Sequence, residues 1–173
     1  MALTPQQLTA LRAACFANPT AAAFFAEPGN AAGLQAHLNA AASPAFYVWR
    51  DRVTQDEIMQ NGFDWTRVDN LSVGKARIWE WLFDNSQSSL NPSKANVRAG
   101  IEQVWQGTQA DLAMRAAVYV HCRRLVSVAE RAFATGVGTE ANPGDAAWVG
   151  SVSSVEAAML IYKDDGTIWT AQG

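Results

Sequence analysis

The chain has 173 residues and a net charge of −3, and 49% of its residues are hydrophobic while 17% are charged. This length corresponds to about one domain with enough buried area to fold without disulfides or metals. The composition disfavours an intrinsically disordered chain, and the acidic balance disfavours a general nucleic-acid binder. No apolar stretch is long enough for a membrane span and no secretory leader pattern is present, so we expect neither.

The first quarter of the chain predicts three alanine-rich helices. Thr4, Pro5 and Gln7 form a capping box that begins the first helix, and Asn18-Pro19 ends it. The second and third helices are expected over residues 20–26 and 30–42. Because alanine buries little area, these helices must pack closely, either on the rest of the chain or on a neighbour.

The middle of the chain is rich in aromatic residues. Residues 46–49 are bulky and predict extended structure, and a capping box at 54–57 begins a short helix that ends at Asn61-Gly62. Residues 63–67 are expected to be irregular. The helix expected over 72–84 has apolar residues over about 200° of its circumference, wider than a surface helix needs. It is either a central helix of the domain, or Trp81 or Trp79 faces another subunit.

The third quarter predicts a polar loop over 85–90, a helix from 91 to about 105, and then the longest helix. A capping box at 108–111 begins this last helix, which is expected to run to about Ala134. Its polar side carries Arg123, Arg124 and Arg131. These arginines are either a solvated face or a basic strip that meets an acidic protein surface or a phosphate backbone.

The last residues read as short apolar elements between polar hinges. A loop over 136–145, an extended run over 148–152, a helix begun by Ser153 and Glu156, and a strand over 167–169 are expected. The predicted fold is therefore mainly α, with a helical-bundle body (1–135) that contains a long C-terminal helix. A hinged C-terminal arm (136–173) with short strand or hairpin elements follows, and it docks on its own chain or on another.

Tryptophan is unusually abundant, with seven copies, and it is enriched among interface anchors. Trp148 and Trp169 are the preferred candidates for partner contacts because they lie in the predicted arm. Tyr162 and Ile168 belong to the same candidate surface. If the arm serves assembly, its deletion from Trp148 onward leaves a folded helical body.

Catalytic signatures are absent from the sequence. The pair Gly136 and Gly138 lacks the third glycine of a dinucleotide-binding motif, and no nucleophile-elbow motif occurs. Cys15 and Cys122 lie in apolar helical patterns and read as buried thiols. We therefore expect no catalytic residues, no cofactor and no metal. The clustered carboxylates read as solvated charge, with nothing to select a catalytic pair among Asp51, Asp56, Glu57 and Asp64.

Five segments carry a family resemblance: WR (49–50), DWT (64–66), LSVGKARIWEW (71–81), NPSKANVR (91–98) and AERAFATG (129–136). They are similar to proteins of tailed bacteriophages and prophages that are encoded among the virion-assembly genes. The size, the helical content and the predicted tail resemble the head–tail adaptor, or connector, proteins of these phages.

This resemblance implies a structural virion protein with no enzymatic activity. Adaptors form a ring, commonly of about twelve copies, that joins the portal protein to a tail or nozzle protein at the virion neck. The chain would assemble in the bacterial cytoplasm and would meet DNA only as it passes through an acidic channel that repels it. The alternatives are another virion component (a tail terminator, a tail-completion protein or a capsid-surface protein) or a helical assembly factor absent from the particle.

Overall fold

The computed structural model of the chain describes residues 2–60, 62–84 and 88–171. Helices dominate these residues, which confirms a mainly α fold. Three expectations fall in part outside the described residues: the helix stop at Asn61, the polar loop at 85–87, and the last two residues of the predicted arm.

The described residues form ten α-helices, a short 3-10 helix at Ala23–Phe25 and six short strands. The helices are α1 (Pro5–Ala17), α2 (Pro19–Ala22), α3 (Ala31–Asn39), α4 (Gln55–Ile58), α5 (Trp65–Asp69), α6 (Val73–Phe83), α7 (Ala95–Val104), α8 (Gln109–Cys122), α9 (Val128–Phe133) and α10 (Ser154–Ile161). The strands are β1 (Tyr47–Trp49), β2 (Val53–Thr54), β3 (Ser89–Leu90), β4 (Arg123–Leu125), β5 (Ala134–Thr135) and β6 (Asp145–Ala146). They form three two-stranded sheets, β1–β4, β2–β3 and β5–β6, the last two antiparallel.

The chain divides into two compact units, but not at the predicted boundary after residue 135. Unit 1 combines Met1–Tyr47 with Leu125–Gly173, and unit 2 is Val48–Arg124. The chain passes from one unit to the other at residues 47–48 and 124–125. The predicted arm is therefore part of unit 1, because it supplies buried residues to the same core as the N-terminal helices.

Capping boxes explain where many of the helices begin. The four boxes predicted from the sequence, at α1, α4, α8 and α10, are confirmed: in each, the cap hydroxyl accepts a backbone N–H and the third helical residue's side chain accepts the cap's own N–H. Such a cap stabilises a helix by about 1 kcal/mol. These local signals fixed the starts of helices that are too short to be stable alone.

The long helix predicted from 108 to 134 is wrong. Helix α8 ends at Cys122, residues 123–125 form β4, and α9 begins at Val128. The cause is a fifth capping box: the Ser127 hydroxyl accepts from Glu130 N (3.2 Å), and the Glu130 carboxylate accepts from Ser127 N (3.0 Å). A second carboxylate oxygen of Glu130 accepts from Gly150 N, and Glu130 is buried rather than solvated.

The core of unit 1 is built from both ends of the chain. Helix α10 packs against α3 and α1, and α9 packs against α1 and α3. The fully buried residues belong to the segments that precede and follow unit 2 in the sequence. They include Leu11, Leu34, Leu38, Ala129, Leu160 and Ile161. Apolar burial at about 25 cal/mol per Å² makes this shared core the main stabilising contribution to unit 1.

Polar contacts also bind the C-terminal residues to the N-terminal helices. Arg12 donates from Nε to Leu160 O (3.0 Å) and from Nη2 to Met159 O (2.7 Å), where α10 leaves carbonyls without helical partners. Asn39 exchanges two 2.8 Å hydrogen bonds with the backbone of Val152. Residues 150–161 are thereby held on their own chain at several points.

The core of unit 2 surrounds two tryptophans. Trp79 of α6 meets Trp105 (5.4 Å between ring centres) and Phe83 (5.1 Å), both edge-on, and Trp105 is completely buried. Helix α6 packs along α7, where Leu82 lies against Gly100. Edge-on aromatic pairs stabilise by about 1 kcal/mol beyond their buried area. Of the five tryptophans in the middle of the chain, Trp79 and Trp105 are buried, Trp49 is half-buried, and Trp65 and Trp81 are exposed.

Three helix-capping carboxylates make the fold sensitive to acid. Hydrogen bonds from Thr54 N and from Arg50 lower the pKa of Glu57 to about 2. A hydrogen bond from Arg67 lowers the pKa of Asp111. Burial raises the pKa of Glu156, but hydrogen bonds from Leu3 N and Ser153 outweigh it and the net shift is downward.

Stability is therefore expected to fall as the pH drops from about 5 toward about 2. A lowered pKa in the folded state means that the unfolded chain takes up protons first, so acid favours unfolding. Urea midpoints at pH 7, 4 and 3 measure this loss. Glu57→Gln should lower the urea midpoint at pH 7 and make that midpoint depend less on pH. Thr54→Ser keeps the cap hydroxyl, so its midpoint should depend on pH as strongly as that of the wild-type chain. Full acid sensitivity in Glu57→Gln would contradict the assignment.

Candidate functional site

The most exposed large aromatic residue in unit 2 is Trp81. Ser72 caps α6 by accepting from Lys75 N (3.4 Å), and this start places Trp79 and Trp81 about 200° apart around the helix. Trp79 is 5% exposed and Trp81 is 66% exposed. The sequence left open whether this helix is central in the domain or faces another subunit. The side with Trp79 is buried in unit 2, whereas the side with Trp81 is exposed.

A second exposed tryptophan lies on the neighbouring short helix α5. Trp65 is 56% exposed, although its ring meets Phe63 edge-on (4.9 Å). Val73, at the start of α6, is also exposed. Aromatic residues are enriched and charged residues depleted in the cores of protein interfaces, and tryptophan is prominent among the residues that dominate binding energy. Unit 2 thus exposes two tryptophan side chains, and tryptophan is a residue type common in the cores of protein interfaces.

The charge around Trp81 is weakly acidic. Glu80 and Asp84 are exposed, and Arg77 lies one turn before Trp81 on the same helix. Among the described residues, none of these three side chains forms an ion pair. Trp81 is therefore an exposed apolar side chain on a helix surface where Arg77, Glu80 and Asp84 together carry a net charge of −1.

Unit 1 contains a cavity of about 580 Å³. Its wall is made by α1, α2, α3 and α9 together with residues 40–44, and it is mostly apolar and lined by small side chains such as Ala14, Ala21, Ala42 and Ala132. The backbone of 40–42 pairs with that of 126–128 and holds one side of the cavity. The alanine-rich first quarter of the sequence was expected to give closely packed helices. In the structure, its small side chains instead leave the space of this cavity.

Arg131 is the one charged side chain among the described lining residues of this cavity. Its guanidinium stacks on the Phe46 ring at 4.0 Å, and no carboxylate of the described residues pairs with it. Arg131 is exposed, so it lies on the solvent side of the lining. The cavity therefore joins an apolar interior to an unpaired positive charge.

Phe46 also lies against the loop that contains Gly138, a glycine that the sequence analysis considered only as part of a dinucleotide-binding motif. A Cβ on Gly138 would lie 1.9 Å from the Phe46 ring, and Gly138 has a φ of +72°. The same loop is tied to β1, since Tyr47 N donates to Gly138 O (2.7 Å) and Gly144 N donates to Tyr47 O (2.8 Å). Only glycine fits the backbone at Gly138.

Gly138→Ala should lower the free energy of unfolding by about 1–3 kcal/mol, because the added methyl group overlaps the Phe46 ring and strains the backbone. Urea unfolding measures the change. Gly166→Ala is the matched control: its φ is +81°, but a Cβ there meets nothing within 4 Å. Equal losses in the two variants would show that Gly138 is required for its φ alone and not for the contact with Phe46.

The predicted strip of Arg123, Arg124 and Arg131 on one helix is wrong. Arg123 and Arg124 lie on β4 in unit 2, and Arg131 lies on α9 in unit 1, because the capping box at Ser127 breaks the expected helix. A pocket of about 320 Å³ in unit 2 is lined by Arg124 and by the Arg50–Glu57 ion pair (2.7 Å). The three arginines do not share a helical face.

The predicted contact residues of the arm lie on or in unit 1. Trp148 is 3% exposed and meets Phe133 edge-on (5.7 Å), so it is a core residue and not a surface anchor. Tyr162 is half-buried and its hydroxyl donates to Pro28 O (3.0 Å). Ile168 pairs with Tyr162 through an isolated bridge, the only part of the strand expected at 167–169 that the described residues contain.

Trp169 is half-buried and its ring contacts two cations. The Arg12 guanidinium lies 4.0 Å from its ring centre and the Lys163 ammonium 4.9 Å. Cation–π contacts of this kind contribute about 0.5–1 kcal/mol when exposed. Together with the hydrogen bonds of Arg12 to α10, they settle the alternative left open by the sequence, since this tryptophan docks on its own chain.

Two of the four clustered carboxylates, Glu57 and Asp64, are engaged in structure. Glu57 is occupied by its helix cap and by Arg50, and Asp64 caps α5. Burial raises the pKa of the Cys15 thiol to about 11 and that of Cys122 to about 12, so both stay protonated near neutral pH and are poor nucleophiles. The described residues contain no cluster of three or more His, Cys, Asp or Glu side chains suited to a metal ion.

Comparison with protein-family models, with curated proteins and with solved structures gives no match. In the described part of the chain, every helix is too short or too polar to span a bilayer. Two separate candidate surfaces follow from the geometry, each within one unit: the exposed Trp81 surface of unit 2 (Arg77, Glu80, Trp81 and Asp84) and the cavity of unit 1, which Arg131 lines.

Proposed function

We propose that this chain is a structural virion protein of a tailed phage. In this role it forms the head–tail adaptor ring that joins the portal protein to the tail, and it works through protein–protein contacts without catalysis. The observation that carries the proposal is the 66% exposure of Trp81 on a helix whose opposite side is a packed aromatic core. Tryptophan is enriched among the residues that dominate the binding energy of protein interfaces, so its exposure here favours an assembly role.

Two further observations support an assembly role. The sequence segments around Trp81 are among those that resemble phage virion-assembly proteins. The net charge of −3 per chain also suits a ring around a DNA channel, because a wall of like charge does not retain DNA.

The structure alters how such an adaptor would contact its partners. Residues 136–173 were predicted to form an arm that docks on its own chain or on another, and the helix α10 within this range packs on α1 and α3 of unit 1. We therefore assign the main inter-subunit contact to the Trp81 surface. The portal and the tail or nozzle protein remain the proposed partners, and the virion neck is the proposed location.

Quantitative mass spectrometry of purified particles tests this function. We expect the chain in mature particles at about the copy number of the portal protein, and immunogold labelling at the head–tail junction. About six copies at the tail end would favour a tail terminator, and copies spread over the head would favour a capsid-surface protein. Absence from particles would identify an assembly factor and contradict a virion role.

A further inference from the structure

We propose that the cavity of unit 1 receives Trp81 from a second copy of this chain. This inference rests on the proposed self-assembly, and it names the two surfaces that would join. Trp81 lies in unit 2 and the cavity lies in unit 1, so the contact uses different patches on the two copies. Such a heterologous contact leaves one free patch of each kind and repeats from copy to copy, and it closes into a ring when the rotation between copies divides a full turn.

Size and lining suit this occupant. A volume of about 580 Å³ is within the range of about 300–1,000 Å³ that holds small organic groups, and an indole is such a group. The wall offers apolar carbons from Leu11, Leu38 and Val128, and the alanines leave room for a flat ring. Burial of a tryptophan removes about 150–250 Å² from water, which makes it a suitable interface anchor.

Charge complementarity identifies a second copy as the occupant. The cavity's charged lining residue is Arg131, whose guanidinium has no carboxylate partner among the described residues. The Trp81 side chain is accompanied by Glu80 and Asp84, which also lack ionic partners there, and the set including Arg77 carries a net −1. When Trp81 enters the cavity, these carboxylates come near Arg131 of the receiving copy. Arg131 already stacks on one aromatic ring and can stack on a second.

The first experiment measures self-association by sedimentation velocity and native mass spectrometry. Trp81→Ala should weaken association at least about 30-fold, the effect of losing a hot-spot residue. Val120→Ala is the control, since it shortens another exposed apolar side chain of unit 2, on α8, and should leave association unchanged. Wild-type chains that stay monomeric up to about 100 µM would overturn the inference.

The second experiment addresses the cavity. Ala132→Phe fills the cavity from its exposed wall on α9 and should weaken association as strongly as Trp81→Ala. Ala36→Phe adds the same ring at an exposed position of α3 outside the lining and should have no effect. Circular dichroism confirms that each variant is folded. Association that depends on Trp81 but not on Ala132 would place Trp81 elsewhere and overturn the inference.

A charge exchange completes the test. Arg131→Glu should weaken association, and the combination of Arg131→Glu with Glu80→Lys and Asp84→Lys should restore at least part of it. Failure of that rescue would contradict the pairing of these groups. The proposed function is judged separately: particles with a neck ring that tolerates Trp81→Ala would overturn only this inference, and absence from particles would overturn only the function.

Discussion

Removal of residues 148–173 is expected to unfold unit 1. The deleted residues include Trp148, Val152, Leu160 and Ile161, all at most 3% exposed, and they carry the backbone groups that bind Arg12 and Asn39. Without them, the alanine-rich N-terminal helices lose the surface that covers Leu11, Leu34 and Leu38. A core divided between distant parts of a chain has no independent half, so we expect loss of helical circular dichroism and of the cooperative transition of unit 1.

This outcome is opposite to the one that an independent arm predicts. A truncated chain that kept the helical signal and the unfolding midpoint of unit 1 would restore the arm interpretation. A pair of point variants on α10 checks the same claim without truncation. Leu160→Ala, at a completely buried position, should cost about 2–5 kcal/mol. Met159→Ala, which is half exposed, should change stability by no more than about 0.5 kcal/mol.

Trp79→Ala and Trp81→Ala should differ sharply although the two residues lie on one helix. Trp79→Ala removes the ring that contacts Trp105 and Phe83 and should lower the free energy of unfolding by about 3–5 kcal/mol. Trp81→Ala removes an exposed ring and should change it by about 0.5 kcal/mol or less. Urea unfolding followed by circular dichroism measures both values.

The contrast separates folding from assembly. If Trp81→Ala were as destabilising as Trp79→Ala, Trp81 would belong to the core of unit 2 and could not be free for a partner. If both substitutions were harmless, the aromatic cluster around Trp105 would not be the core of this unit. The expected result is a folded Trp81→Ala chain with weakened association.

Local signals in the sequence predicted much of the secondary structure. Thr4 with Gln7 and Thr108 with Asp111 are reciprocal hydrogen-bonding pairs within four residues, so the sequence alone contains the whole interaction. Ser127 and Glu130 have the same spacing, but the helical pattern of apolar residues continues before and after them without a break. Periodicity favoured one long helix there, whereas the structure follows the cap and the pairing of β4 with β1.

The assembly of unit 1 from the two ends of the chain could not be predicted in the same way. The association of α10 with α1 and α3 joins residues more than 100 positions apart, and Glu156 binds Leu3 N across most of the chain. No local pattern specifies such a contact. The final residues look like an appendage in sequence because their apolar positions are few, and they are core because their partners lie at the other terminus.

Only the part of the candidate site that depends on a local pattern could be predicted from the sequence. Trp81 was recognised because the apolar arc of its helix is too wide for a single buried face, and its exposure agrees with that pattern. The cavity has no motif: it results from where Ala14, Ala21 and Ala132 come together in three dimensions. Trp148 was placed on a surface because tryptophan is common at interfaces, but Phe133 covers it within the chain.

Mass photometry and negative-stain electron microscopy of the isolated chain test the central claim, that this protein assembles through Trp81, most directly. We predict closed rings of about twelve copies for the wild-type chain and folded monomers for Trp81→Ala. Wild-type monomers under the same conditions, or rings that persist in Trp81→Ala, would contradict it.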